Sequence, residues 1–190
     1  MRKKTTGNET KNIISLIKKI IRLVILQYKI SSDIPWFTEQ YFFWKRVADQ
    51  CSGDFDEDIK RIRTISSGIE DLPWQSMVFT EIWKVTEDLE DLEAAIKAAF
   101  KIPNENLKDE ILYGIAKNLL SVGNLDKARE LSLKIRDPFL KLCLFADLFK
   151  ISKNIGDFKK ALSMLPKVKD LNSSVLTIAD VVEYLLKLGS

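Results

Sequence analysis

Gly123-Asn124-Leu125-Asp126-Lys127-Ala128 returns 33 residues later as Gly156-Asp157-Phe158-Lys159-Lys160-Ala161. One period upstream stands Glu90-Asp91-Leu92-Glu93-Ala94-Ala95. Gly53-Asp54-Phe55-Asp56-Glu57-Asp58 precedes that at a spacing of 37, and Gly189 lies one period beyond the last copy. The columns make physical sense as a turn between two helices. Glycine suits the position just past a helix end, where a left-handed backbone is needed. The residue after it (Asp54, Asp91, Asn124, Asp157) is of the type that caps a helix N-terminus. The apolar residue that follows (Phe55, Leu92, Leu125, Phe158) can seal the hairpin. Ala95, Ala128 and Ala161 are small where two helices must approach, and Ile65, Ile102, Ile135 and Val168 end the second helix on its buried side.

A second repeat supports the first. Asp33-Ile34-Pro35-Trp36 recurs as Asp71-Leu72-Pro73-Trp74, with Trp44 and Trp83 following. Proline fits the first helical turn, where its missing N–H would have no partner. Pro103 and Pro138 mark two further boundaries, whereas Pro166 falls inside an expected helix and predicts a kink or an early end. Apolar residues recur at helical spacing, as in Ile111, Leu112, Ile115, Ala116, Leu119 and Leu120. The resulting reading is all-α. A basic, flexible N-terminus (1–10) precedes one domain (11–190) with a leading helix at 11–30. Helix pairs follow at 35–51 with 54–68, 74–88 with 90–102, 107–121 with 124–136, and 139–154 with 157–169, then a terminal helix at 173–188.

The Gly-[Asn/Asp]-[Leu/Phe]-x-x-Ala turn at this period resembles the tetratricopeptide repeat over roughly residues 35–190, most closely at 107–170. Ala116 stands where that family has a small residue in its first helix, with Leu112 and Leu119 at its large apolar positions. The family period is about 34 residues, the first repeats here run to 37–38, and most of the family's Trp, Gly and Tyr signals are absent. The resemblance implies a right-handed superhelix of antiparallel helix hairpins, an α-solenoid whose first helices line a concave groove for a partner segment.

Composition fits this class. Of 190 residues, 46% are apolar and 30% charged, with only seven Gly and five Pro, too little turn chemistry for an all-β fold. Cys51 and Cys143 are far apart and define no disulfide framework. The absence of histidine removes Ser-His-Asp and Cys-His activation and imidazole metal sites. Residues 1–30 carry eight Lys/Arg against Glu9, while residues 31–190 are net −4. An acidic body argues against nucleic acid as the partner. No phosphate-cradling glycine loop or metal-ligand cluster is present, so no catalytic residue, cofactor or metal is expected. The setting expected is cytoplasmic, with a membrane-peripheral variant.

Four features invite a functional reading. Lys84, Lys117 and Lys150 recur every 33 residues, midway along successive first helices, and with Lys153 and Tyr113 could form a groove for an acidic peptide. The competing reading is solvated lysines paired as Glu81–Lys84 and Asp147–Lys150. In the leading helix, Lys11, Lys18, Arg22 and Lys29 fall within an arc of about 40° at about 100° per residue. Most of the remaining surface is apolar (Ile13, Ile14, Ile17, Ile20, Ile21, Val24, Ile25). That suits an anionic membrane or a partner, or burial as the cap that solenoid ends need, the favoured reading. Among Trp36, Phe37, Tyr41, Phe42, Phe43 and Trp44, any ring left exposed is a hot-spot candidate. Asp54-x-Asp56-x-Asp58 imitates a calcium loop, but Ile59 and Ile65 stand where that loop needs Gly and Glu, so these acids read as first-turn residues favoured by the helix dipole.

The expected function is a non-enzymatic scaffold that binds a protein or peptide segment. The alternatives are a membrane-peripheral assembly factor using residues 11–30, and a helical-repeat RNA binder. Self-association through the apolar helix 173–188 (Leu176, Ile178, Val181, Val182, Leu185, Leu186, Leu188) is a further expectation, as is a chain that is either capped there or cut from a longer array.

Overall fold

The computed structural model describes residues 15–21, 34–49, 51–52 and 54–168, with Ala179 and Glu183. Every regular element among them is helical. Residues 15–21 form α1, followed by α2 (Ile34–Asp49), α3 (Phe55–Ser67), α4 (Leu72–Thr86), α5 (Leu89–Phe100), α6 (Glu105–Ser121), α7 (Leu125–Lys134), α8 (Pro138–Ser152) and α9 (Ile155–Met164). α9 ends at Met164, two residues before Pro166, and gives way to a 3₁₀ turn, Leu165–Lys167, the early stop expected of that proline. The rest of the predicted helix 11–30 and the predicted helix 173–188 lie outside the described residues, apart from Ala179 and Glu183, which are helical and exposed.

The chain divides into two compact units, Met1–Ala98 and Ala99–Ser190. In the first, α3 packs on α4, and the Ser76 hydroxyl donates to the Ala95 carbonyl at 2.8 Å, tying α4 to α5. In the second, α6 pairs with α7 and α8 with α9, while α8 also touches both α6 and α7. This is hairpin-repeat packing, and the small-residue column explains it. Ala95, Ala128 and Ala161 are all buried, and Ile102, Ile135 and Val168 are buried at the ends of their hairpins.

Helix starts follow from capping. Asp54, Asp71, Asn104, Asn124, Asp137 and Asn154 each accept a backbone N–H from the first turn of the helix they precede. Two columns of the sequence reading shift here. Asp91 and Asp157 are not caps, because α5 and α9 begin earlier. Asp88 accepts from Glu90 N and Asn154 from Gly156 N. Nor does the glycine column hold the left-handed residue throughout. Gly123 does, at φ 78°, but at the equivalent turns Glu87 (φ 56°) and Lys153 (φ 59°) take that role, and Gly156 lies inside α9.

The displaced aspartates have a different task. Asp91 and Asp157 are 2% and 3% exposed. Arg63 of α3 grips Asp91 with two bonds, Nε to Oδ1 at 2.7 Å and Nη2 to Oδ2 at 2.6 Å, and also reaches Asp88. Arg129 of α7 grips Asp157 the same way at 2.8 and 2.9 Å, and reaches Asp126. Thr86 and Ser152 donate hydroxyls to the same two carboxylates. Each buried charge is thus fully partnered, the condition under which burial is tolerated. Each clamp fixes one second helix against the next. α4 and α8 are both 15 residues long, and their caps, left-handed ends and clamps repeat at 66 residues rather than 33. The intermediate positions are occupied by Ile96 and Asn124.

Removing one partner of such a clamp strands the other. Arg129→Ala is expected to cost about 3–5 kcal/mol of stability. Glu130→Ala, on the exposed face of the same helix, should cost less than about 0.5 kcal/mol. Urea unfolding of both variants tests this, and equal losses would count against the clamp.

Candidate functional site

The first-helix face of the second unit brings several of the predicted groove residues into one polar cluster. Tyr113 and Lys117 lie one turn apart on α6, and Cys143 and Asp147 one turn apart on the adjacent α8. Lys117 Nζ donates to Asp147 Oδ2 at 2.5 Å, bridging the two helices. That hydrogen bond holds the Lys117 ammonium above the ordinary lysine value. Tyr113 is half-buried. Burial pushes its phenol up, Lys117 opposes that shift, and Cys143 and Asp147 add to it.

Why Lys117 reaches across follows from the sequence. Three residues before Lys84 and Lys150 stand Glu81 and Asp147, but three before Lys117 stands Gly114. Lys84 therefore pairs within its own helix, with Glu81 at 2.6 Å, while Lys117 takes its acid from the next hairpin. The lysines do not sit midway along their helices, as the repeat spacing had placed them. Lys84 and Lys150 occupy the last turn of α4 and α8, where the helix dipole favours a cation. Lys153 folds back and donates to the Lys150 carbonyl at 2.8 Å. In this unit Asp147 is the acid that Lys117 meets, and Lys150 and Lys153 follow it at the end of the same helix α8.

Gly114 was absent from the sequence reading and is the most informative residue here. It lies inside α6 with ordinary helical backbone, and a Cβ built on it would meet nothing within 4 Å. Neither conformation nor crowding calls for glycine. In a helix interior it costs about 1 kcal/mol relative to alanine. What glycine does provide is room for a second backbone to come close. The signal was present in the sequence as the one gap in the Glu81/Asp147 column.

A cleft of about 500 Å³ lies in the first unit, bordered by Phe43, Ile65, Gly68, Ile69, Glu70, Asp71 and Trp74. Its rim is fixed, since the Gln75 amide donates to the Ser66 and Ser67 carbonyls and Asp71 caps α4. Of the aromatic cluster, Trp44 is fully buried while Phe42 and Phe43 remain exposed. The side chains of Trp36, Phe37 and Tyr41 lie outside the described residues. In α1, Leu16, Ile17 and Ile20 are buried whereas Lys18 and Lys19 are exposed. Lys11, Arg22 and Lys29 lie outside the described residues.

No group of three or more potential metal ligands occurs among the described residues. Asp54 caps α3 and Asp58 is buried, accepting from the backbone and hydroxyl of Ser52. Burial and the neighbouring Asp58 push the Cys51 thiol up, away from the thiolate a nucleophile needs. No helix among the described residues is long and apolar enough to cross a membrane. No protein-family model matches the chain, and no curated protein or solved structure does either. The helix-hairpin repeat therefore rests on the packing described above.

Two measurements check this surface. Gly114→Ala should raise stability by about 1 kcal/mol in urea unfolding, whereas a loss would mean that the helix cannot accept a side chain there. The phenol of Tyr113 should ionise above the ordinary tyrosine value, read from the alkaline absorbance difference between the protein and its Tyr113→Phe variant. Both Tyr113 and Lys117 have raised values, so their stabilisation is present below their unfolded values and is lost as pH rises through the folded ones.

Proposed function

We propose that the protein is a non-enzymatic interaction module that receives an extended partner segment along the α6–α8 face, in the manner of tetratricopeptide-like repeats. The observation that carries this reading is Gly114. A helix gives up about 1 kcal/mol at this position without needing glycine for its own packing. The gap lies beside a half-exposed tyrosine and a lysine–aspartate bridge. A partner backbone would pass over Gly114, and its acidic side chains would be drawn to Lys117, Lys150 and Lys153. The inference from repeat fold to binding role is by analogy, and a cytoplasmic setting belongs to the same proposal. Burial of Leu16, Ile17 and Ile20 supports the leading helix as a cap over its use as a membrane anchor, and the acidic body weighs against RNA.

A Cβ at Gly114 meets no neighbour, and the melting temperature of Gly114→Trp reports whether the indole is accommodated, so binding is read separately from folding. Affinity capture from source lysate, read by mass spectrometry, should recover a partner with the wild-type chain. The tryptophan variant should lose it while melting at the same temperature. A partner retained equally by both would move the binding surface away from α6.

A further inference from the structure

The α4–α5 and α8–α9 turns are one device built twice. Each ends its first helix on a left-handed residue whose N–H returns to the carbonyl four back, Glu87 to Trp83 and Lys153 to Phe149. Each sets a cap residue on the hydroxyl two positions earlier, Asp88 on Thr86 and Asn154 on Ser152. Each buries an aspartate gripped by an arginine. With the scaffold held constant, the outward residues can be compared position by position.

Two things emerge. The first residue of the second helix is a large exposed aliphatic in both turns, Leu89 at 62% and Ile155 at 56%, with Ile151 at 51% beside the latter. Lone exposed aliphatics are ordinary, but here each is bordered by charges of opposite sign at matching positions. Glu87 answers to Lys153, and Glu93 to Lys159, one turn beyond the aliphatic and on the same side of the helix. Exposed Glu90 adds to the acidic border, and exposed Lys160 to the basic one. The clamp aspartates do not blur this contrast, since Asp91 and Asp157 are both buried and paired.

We propose that these turns recognise each other between two copies of the chain. The acidic, leucine-bearing α4–α5 turn of one copy docks on the basic, isoleucine-bearing α8–α9 turn of another. Leu89 meets Ile155 and Ile151, while Glu87 and Glu93 face Lys153 and Lys159. Like turns repel and unlike turns attract, so the charges set the pairing and the aliphatic contact holds it. Contacts of this size are small, and a weak, salt-sensitive association follows.

Sedimentation velocity of the full chain over a range of concentrations and ionic strengths tests this. The wild-type chain should associate at low salt and dissociate as salt rises. The pair Glu87→Lys with Glu93→Lys, and the pair Lys153→Glu with Lys159→Glu, should each weaken association by more than about tenfold. An equimolar mixture of the two variants should restore it, because the reversed acidic turn of one then matches the reversed basic turn of the other. That restoration also shows that both variants are folded. A wild-type chain that stays monomeric throughout would overturn the proposal. So would variants that associate like the wild type, or a mixture that fails to recover while both variants melt normally.

Discussion

A carboxylate at 2–3% exposure has to find charge and hydrogen-bond partners inside the protein, and Asp91 and Asp157 are in that position. Much else in the structure follows from it. The arginine comes from the preceding second helix, where its fork meets both oxygens. The hydroxyl of Thr86 or Ser152 must lie at the end of the first helix. The left-handed residue between them must turn the chain so that hydroxyl and aspartate face each other. Asp109 meets the same constraint differently, accepting the backbone N–H groups of Arg136 and Asp137 ahead of α8. Register is thus set by polar contacts, while the alanine column sets how closely the helices approach.

The repeat period, the small residues and most helix ends were legible in the sequence because they are governed by local rules. A cap, a proline in the first turn and an alanine at a close approach look the same in any helix. The buried aspartates were not legible by that route. An acid near a helix N-terminus reads as a cap or as a dipole-favoured surface residue, and periodicity offers no reason to bury it. A sharper signal existed. [Ser/Thr]-x-[Asp/Asn]-x-x-Asp occurs at Thr86–Asp91 and at Ser152–Asp157, each with an arginine 28 residues before its final aspartate. Aligning on glycine hid it, because the left-handed position had passed to Glu87 and Lys153.

The candidate surface was legible in outline only. The lysine column was visible, but spacing alone could not tell which acid each lysine would meet. That depended on the missing acid at Gly114, which sends Lys117 across to Asp147. Tyr113 was placed near the column by its helical position, and its half-buried state came from the packing of α8 against α6. The cleft beside Phe43 and Ile69 was not foreseen, since its walls come from the end of α3 and the start of α4, which the repeat logic treats as a plain connection.

The 66-residue recurrence bears on how such a chain can lengthen. An arginine at one register and an aspartate 28 residues later form a closed exchange, with Ile96 and Asn124 as the uncharged pair between two charged ones. Duplicating a stretch of two hairpins reproduces the whole pattern, each arginine meeting its own aspartate. Duplicating a single hairpin would carry either an arginine or an aspartate to a neighbour of the wrong kind and bury a charge alone. Growth by gene duplication is therefore favoured in steps of two hairpins, although the core packing repeats with each one.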